Sequence, residues 1–225
     1  QRLDMDHVDL LQLHNHITPT RGSNAGAVSI RELMDEVVPA LQALQQQGKI
    51  RFYGITGLGD TAALHQVIAA AAFHTVQVPY NLLNPSAAVD VPAGFPAQNF
   101  RRLLDRANEQ RMGVIGIRVL AAGALSGTEA RHPTAAPAVE PIASGRDYAT
   151  DVQRAKMLEV LVREGHVQSL VEASLRFAVS TDALSTVLVG YSSLEHLESA
   201  GAAVARGPLS TAALNRLSTL WKQLA

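Results

Sequence analysis

The stretch DHVDLLQLHNH, residues 6–16, carries the pattern that decides the fold. Its apolar run, predicted as a strand over residues 8–14, contains one Val and three Leu, as in a strand that is covered on both faces of a parallel sheet. His14 and His16 stand at its carboxyl end, where parallel sheets present their site residues. Because residue 1 is Gln and no element precedes this strand, we expect the sequence to begin partway through a larger fold.

The composition is that of a globular protein. The 225 residues are 47% hydrophobic and 17% charged, and they are predicted to form a single domain, residues 1–225. A net charge of -1 gives no basic field for nucleic acid, and no apolar run reaches the roughly 20 residues that span a bilayer. The absence of cysteine excludes disulfides and thiolate chemistry. These features, with no signal-peptide pattern, predict a cytoplasmic protein.

Apolar runs and helical patterns alternate along the chain. Strands are predicted at residues 8–14, 51–56, 75–80, 113–120 and 185–191. Helices are predicted at residues 61–72, 98–111, 168–179, 194–205 and 212–224. This alternation predicts a parallel α/β sheet. A closed barrel of eight strands needs about three more βα units, so either the sheet is open or those units lie outside the sequence.

Local signals predict where some helices begin and break. Ser29 and Glu32 form a capping box, in which each side chain bonds the backbone N–H of the other residue. Pro39 is expected to kink or split the helix that follows, because proline has no N–H to donate. Asp60 is a predicted N-cap. Residues 126–151, rich in Pro, Ala and Gly, are predicted to form a mobile loop.

Five segments occur in the order of the strands of one known family. They are DHVDLLQLHNH (6–16), GKIRFYGITGLGD (48–60), VQVPYNLLNPS (76–86), MGVIGIRVLAAGALSG (112–127) and STVLVGYSSLEHLESA (185–200). Through them the chain resembles the aldo-keto reductases over nearly its whole length. The resemblance implies a (β/α)8 TIM barrel, of which this chain covers about strands 4–8 with their helices. It also implies hydride transfer between a nicotinamide cofactor and a carbonyl or alcohol. The GITG run at residues 54–57 is most similar to the NAD-using, sugar-oxidising branch of the L-galactose dehydrogenase type.

Four side chains match family positions near the substrate and the nicotinamide. The resemblance implies that His14 hydrogen-bonds the substrate oxygen and orients it for hydride transfer. Gln77 matches the glutamine that bonds the nicotinamide amide, and Thr56 offers a hydroxyl where many relatives carry Ser-Asn. Ile117 replaces an aromatic ring and would cover the nicotinamide by dispersion. The structural alternatives are a partly buried histidine that bonds a backbone carbonyl and a glutamine that only satisfies its neighbours.

A second group matches family positions near the pyrophosphate and the adenosine. Arg118 would neutralise the pyrophosphate, unless it is an ordinary surface arginine. Gly190, Ser192 and His196 match the segment that holds the adenosine ribose and its 2′-phosphate. This segment has no Lys or Arg, and Glu195 would repel a phosphate dianion, so the resemblance favours NAD, with NADP possible. Ser192 and Glu195 also form a second capping-box pattern.

The family's proton-transfer residues, Tyr, Lys and Asp, lie on its first three βα units. The resemblance gives these units no counterpart in this sequence. We therefore expect the 225-residue chain alone to be inactive. We also expect it to be poorly soluble or oligomeric, because an unclosed sheet exposes strand edges and apolar surface.

Two other functions stay open. One is a non-catalytic relative that keeps a nucleotide site. The other is a zinc-dependent, amidohydrolase-like barrel, since His14 and His16 stand at alternate positions and two imidazoles can share a metal. The remaining ligands would be hard to find, because His65 lies in a predicted helix and His74 precedes its strand. The expected partner is a small carbonyl compound or sugar, without nucleic acid or membrane, and the oligomeric state is left open.

Overall fold

The computed structural model describes residues 4–21 and 26–223, and these form two compact units. The first unit contains the described residues up to Val78 together with Leu103–Ile115. The second contains Pro79–Arg102 and the described residues from Gly116 onward. Parallel strands alternate with helices, so the predicted parallel α/β fold is confirmed. The single domain over residues 1–225 stays a prediction.

Three strands of the first unit match the sequence prediction to within one residue at each end. The strands of this unit are β1 (Val8–Leu13), β2 (His16–Thr18), β3 (Ala27–Ser29), β4 (Ile50–Thr56), β5 (Thr75–Pro79) and β6 (Gly113–Ile117). The last residue of β5 and the last two residues of β6 are counted with the second unit. The main sheet has the order β1-β4-β5-β6 in this unit, with β1 parallel to β4 and β4 parallel to β5. The small parallel pair β2-β3 was not predicted, since three residues are too short to show a period.

Two of the helices of the first unit begin at the capping residues that the sequence predicts. The helices of this unit are α1 (Ile30–Glu32), α2 (Val38–Gln46), α3 (Thr61–Ala69) and α4 (Leu103–Glu109), with a π-helical turn (Leu33–Val37) between the first two. The Glu32 N–H donates to Ser29 Oγ over 3.2 Å and the Ser29 N–H donates to Glu32 Oε2 over 3.0 Å, so the predicted capping box is confirmed. Asp60 caps α3 as predicted, accepting from the Ala63 N–H over 2.8 Å. Pro39 stands in the first turn of α2, directly after the π-helical turn, so the helix is split there as expected.

Two predicted helices are shorter than their apolar patterns. The helix predicted over residues 98–111 begins only at Leu103, because Arg101 and Arg102 have φ angles of 50° and 58°, in the left-handed region. The helix predicted over residues 61–72 ends at Ala69, two residues before Ala71, whose φ is 52°. A left-handed residue cannot continue a right-handed helix, so both corrections have one cause.

The second unit contains one strand and most of the helices. Its elements are β7 (Thr186–Val187), α5 (Tyr148–Met157), α6 (Val160–Arg163), α7 (Leu170–Ala178), α8 (Leu194–Ala205), α9 (Thr211–Gln223) and a 3₁₀ segment (Ala121–Ser126). The strand predicted over residues 185–191 is thus only two residues long; it lies at the end of the sheet order, and the Leu188 N–H donates to the Gly116 carbonyl over 2.8 Å. The strand predicted over residues 113–120 ends at Ile117, because Arg118 has a left-handed φ of 58°. The predicted helix over residues 194–205 is confirmed, and residue 224 of the last predicted helix lies outside the described residues.

The predicted loop over residues 126–151 is partly structured. Helix α5 begins inside it at Tyr148, capped by Asp147, whose Oδ1 accepts from the Thr150 N–H over 2.7 Å. The buried Ser144 hydroxyl donates to Asp151, and Arg154 donates to the Ser144 carbonyl over 2.5 Å. These bonds anchor the end of the loop. The irregular segment is therefore shorter than the composition of residues 126–151 predicted.

Buried contacts hold the segment that follows β5. Tyr80 stacks on Phe177, with ring centroids 4.7 Å apart, and Phe177 meets Trp221 edge-on. The indole N–H of Trp221 donates to the Leu82 carbonyl over 2.9 Å. The backbone directly after β5 is therefore fixed by the core of its own unit. None of the helices that the structure describes is long and apolar enough to cross a membrane.

Candidate active site

Thr56 and Gln77, both predicted site residues, lie side by side in the first unit. They are paired in the parallel register of β4 and β5, and the Thr56 hydroxyl donates to Gln77 Oε1 over 3.5 Å. Thr56 is fully buried and Gln77 is half-buried. The half-buried Gln77 amide has both a donor and an acceptor, as binding to a ligand amide requires, and the buried Thr56 hydroxyl lies beside it at the carboxyl end of the adjacent strand.

The backbone around Gly57 leaves no room for a side chain next to Thr56. The Gly57 N–H donates to the Gln77 carbonyl over 2.7 Å, and a Cβ added at Gly57 would lie 2.8 Å from that carbonyl oxygen. The obstacle is backbone rather than a movable side chain. A side chain at this position would therefore require β4 and β5 to separate.

His14 stands one residue beyond β1, at the edge where the carboxyl ends of β1 and β4 meet. Leu13 is paired with Ile55, and His14 and Thr56 are the next residues along the two neighbouring strands. The His14 side chain is exposed and makes no hydrogen bond with any residue within 4–21 or 26–223. Its imidazole is thus not engaged by a backbone carbonyl there, and its catalytic role stays a prediction.

Gln12 is a polar residue of this region that sequence reasoning missed. Its Nε2 donates to the Thr75 hydroxyl over 2.8 Å, across Gly54, which is paired with both residues. The Gln12 Oε1 atom is buried and has no hydrogen-bond partner among the described residues. In the sequence Gln12 is a single polar residue within an apolar strand, and this was the one signal that could have identified it.

Ile117 and Arg118 stand at the end of β6, in the second unit. The Ile117 carbonyl accepts from the Tyr80 N–H over 3.1 Å, and the Arg118 carbonyl accepts from Asn81 Nδ2 over 2.9 Å. The Arg118 guanidinium is half-buried and has no ion pair or hydrogen bond with a residue that the structure describes. Burial lowers the pKa of Arg118, and the group stays positively charged at neutral pH. It is therefore not a freely solvated surface arginine.

Tyr80 and Asn81, which directly follow β5, belong to the core of the second unit. Tyr80 is 3% exposed and Asn81 is 1% exposed. Burial raises the pKa of Tyr80, so its phenol is a poor proton donor at neutral pH. The tyrosine that follows β5 therefore acts in packing.

Ser192 and His196 lie together at the start of α8. The Ser192 N–H donates to His196 Nδ1 over 3.4 Å, and Gly190 is exposed with open space around it. The predicted capping box from Ser192 to Glu195 is wrong. Ser193 is the N-cap, and its Oγ accepts from the His196 N–H over 3.2 Å.

The loop before α5 approaches this segment, which the sequence did not predict. Thr134 donates to the Ser192 carbonyl over 3.1 Å, and the rings of His132 and His196 meet edge-on with centroids 5.5 Å apart. Loop and segment belong to the same unit, so His132 joins His196 as an exposed imidazole there.

The zinc alternative finds no ligand set in the part of the chain that is described. No three His, Asp or Glu side chains among those residues stand close enough to hold a metal ion. His74 Nδ1 contacts the Tyr53 backbone N–H and carbonyl at 3.3 Å and 3.2 Å, and His65 lies within α3. Neither histidine joins the pair at His14 and His16.

Each group of residues suits a part of a nicotinamide dinucleotide. The Thr56–Gln77 pair matches the carboxamide, and the half-buried, unpaired guanidinium of Arg118 matches a diphosphate. Taken each within its own unit, these residues fit the carboxamide and the diphosphate of the cofactor that the resemblance implies.

Comparison with known proteins gives concordant results. The model of the aldo/keto reductase family matches residues 1–222. L-galactose dehydrogenase of Arabidopsis thaliana is 28% identical over 207 residues, which are 91% of this chain and 54% of that protein. An aldo-keto reductase from Bacillus halodurans superposes in its apo and holo forms with TM-scores of 0.66 and 0.65, at 21% and 22% identity. The superposition covers 97% of this chain and 64% and 62% of the two structures.

The chain thus spans about half the length of the curated relative and under two thirds of the solved structures. The structural likeness confirms the predicted fold, that of the (β/α)8 barrels, and the family match extends over both units. The chain belongs to the aldo/keto reductase family.

Proposed function

We propose that this protein is a nicotinamide-dependent oxidoreductase that transfers hydride between the cofactor and a sugar or a small aldehyde, ketone or alcohol. The observation that carries the proposal is the Thr56–Gln77 pair at adjacent strand ends, with a buried hydroxyl facing an amide. Family membership supports the same reaction class. L-galactose dehydrogenase among the relatives supports a sugar as the substrate.

Each residue has a separate task in this proposal. The nicotinamide, when bound, supplies the hydride acceptor or donor. Thr56 and Gln77 bind its carboxamide and orient the ring. The resemblance assigns Ile117 the task of covering an apolar face of the nicotinamide. His14, exposed and unpaired, donates a hydrogen bond to the substrate oxygen. Arg118 neutralises the diphosphate.

We propose NAD as the cofactor, with NADP as the less favoured one. Residues 190–196 contain no Lys or Arg, and the exposed Glu195 repels a phosphate dianion near the start of α8. Gly190, Ser192 and His196 instead offer neutral contacts to a ribose. A cytoplasmic location is part of the same proposal, which the absence of cysteine supports.

The proposal is tested on the protein produced from its natural coding region. We expect L-galactose or another aldose to be oxidised with NAD+, faster than with NADP+ at equal concentration. The His14→Gln variant should lose about 10²–10⁴-fold in kcat/KM while NAD+ affinity is kept. His16→Gln is the matched control, since His16 is an exposed histidine two residues away.

Three results would contradict the proposal in different ways. Full activity of His14→Gln would remove the histidine from the reaction. NAD+ binding without turnover of any carbonyl or alcohol would favour the non-catalytic relative. Stoichiometric zinc in the purified protein, lost in His16→Gln, would favour the hydrolase.

A further inference from the structure

The backbone at the end of β6 turns into a conformation that ordinary side chains rarely adopt. Arg118 has a φ of 58°, and Ala121, Ala122 and Gly123 follow with φ angles of 46°, 58° and 104°. A non-glycine residue in the left-handed region is strained and persists only when its surroundings hold it. The direction of a side chain follows from the backbone at its own Cα, so whatever holds Arg118 also aims its guanidinium.

The Arg118 carbonyl accepts from the Ala121 N–H over 2.8 Å within the same turn, and Asn81 is the side chain that holds this carbonyl from outside it. The Asn81 Nδ2 donates to the Arg118 carbonyl over 2.9 Å, and the Asn81 side chain is itself immobilised. Its Oδ1 accepts from the N–H groups of Leu83 and Asn84 over 2.9 Å and 3.0 Å, which closes a local turn. The Asn81 amide therefore joins a rigid, buried turn to the strained residue, 37 positions later in the chain.

The guanidinium of Arg118 forms no ion pair with any of the described residues, so no counter-charge among them accounts for its position. The guanidinium is half-buried. Partial burial of an unpaired cation is unfavourable unless an anion arrives. A fixed, unpaired, partly desolvated arginine is suited to bind a phosphate group with little loss of side-chain entropy.

We propose that Asn81 is a positioning residue: its amide holds the Arg118 carbonyl so that the left-handed backbone directs the guanidinium to the diphosphate of a dinucleotide cofactor. The inference rests on the proposed function, because it takes the cofactor class from there. It adds a residue that touches neither cofactor nor substrate and acts only through Arg118.

The Asn81→Asp variant separates positioning from simple stability. Aspartate keeps the oxygen that accepts from Leu83 and Asn84 but loses the Nδ2 donor to Arg118. Asn84→Asp is the matched control in the same turn. The Asn84 Oδ1 accepts from the Ser86 N–H over 3.1 Å, and its Nδ2 donates to the Gln98 and Ala143 carbonyls over 2.8 Å and 2.5 Å. Both variants bury a carboxylate, and only one of them breaks the bond to Arg118.

The experiment is a double-mutant cycle in the protein produced from its natural coding region. It compares Asn81→Asp, Arg118→Met and the double variant with the wild type, and it includes Asn84→Asp as the control. Affinities for inorganic pyrophosphate and for NAD+ are measured by calorimetry. We expect Asn81→Asp to weaken pyrophosphate binding roughly five- to tenfold. Asn84→Asp should stay within about twofold of the wild type, and Asn81→Asp should add nothing once Arg118 is Met. Amide exchange at residues 118–123 should accelerate in Asn81→Asp and not in Asn84→Asp.

The opposite results overturn the inference. Equal losses in the two aspartate variants, or an additive loss in the Arg118→Met background, would mean that Asn81 only stabilises its turn. If Asn81→Asp does not fold, Asn81→Ser answers the same question, because its hydroxyl accepts within the turn but is too short to reach Arg118.

The failure of this inference differs from that of the proposed function. NAD+ binding that is equal in the wild type and in Asn81→Asp refutes the positioning role and leaves the oxidoreductase standing. Binding of pyrophosphate and NAD+ in the expected pattern without turnover refutes the oxidoreductase and leaves the positioning role. A wild type that binds neither refutes both.

Discussion

At the scale of single residues, the buried hydroxyl of Thr56 gives a prediction for the affinity of NAD+. This hydroxyl is fully buried, and its contact with Gln77 Oε1, at 3.5 Å, is at the long limit for a hydrogen bond. Thr56→Val should therefore change stability little and weaken NAD+ binding about two- to tenfold, the effect of one lost hydrogen bond. Thr56→Ser keeps the hydroxyl and should bind as the wild type does. Calorimetric titration decides, and unchanged affinity in the valine variant would remove Thr56 from the site.

Gly57 gives a second prediction at this scale. Gly57→Ala places a Cβ about 2.8 Å from the Gln77 carbonyl oxygen, so it should destabilise the protein by about 1–3 kcal/mol. Gly201→Ala is the control, since Gly201 is exposed within α8 with nothing within 4 Å of an added Cβ. That change should stabilise by about 0.5–1 kcal/mol, because alanine favours the helix. Urea unfolding measures both, and equal effects of the two substitutions would refute the steric argument.

At the scale of elements, Ser193 rather than its neighbour Ser192 caps the start of α8. Ser193 accepts from the His196 N–H over 3.2 Å, whereas Ser192 contributes backbone groups alone to the bonds that the structure shows there. Ser193→Ala should cost about 0.5–2 kcal/mol of stability and speed amide exchange in the first turn of α8. Ser192→Ala should leave the stability nearly unchanged. A larger loss in Ser192→Ala than in Ser193→Ala would restore the capping box that the sequence suggested.

At the scale of the whole molecule, Glu172 makes stability depend on pH. It accepts from the Gln168 N–H and from Arg176, each over 2.9 Å, and Arg206 approaches to 3.5 Å. Burial of the carboxyl group works to raise its pKa, but these partners outweigh burial, so the pKa of Glu172 lies below its ordinary value of 4.5. A depressed folded-state pKa means that the stabilisation is present above pH 4.5 and is lost as the pH falls through the lower folded value.

The Glu172→Gln variant tests that dependence. At neutral pH it should lose about 1.5–3 kcal/mol, the contribution of hydrogen bonds to a charged group. The difference from the wild type should shrink as the pH is lowered below 4.5. Glu198→Gln, an exposed change on α8, is the control and should stay close to the wild type. Urea unfolding across this pH range is the measurement, and a difference that is constant with pH would refute the ionic origin.

Self-association also belongs to this scale and stays a prediction. Leu188, Tyr191 and Leu194 are 53%, 59% and 68% exposed around β7 and the start of α8, so the second unit presents apolar surface beside an edge strand. Such surface favours association between chains.

The sequence by itself determined the order and type of the main elements. Apolar runs place β1, β4 and β5 to within one residue at each end, and the caps at Ser29 and Asp60 are correct. These features depend on neighbours three or four positions away, which a sequence displays directly. The resemblance likewise selected Thr56 and Gln77, which the structure brings together.

Only the tertiary structure decided where several elements end and which polar groups meet. The left-handed residues Ala71 and Arg118 end elements whose apolar patterns continue, and Arg102 delays the start of α4. Ser193 replaces Ser192 as the cap of α8. The bond from Asn81 to Arg118 joins residues 37 positions apart. Contacts between distant segments, and the strain that they hold in place, have no local signature, because the free energy that sets them comes from packing in three dimensions.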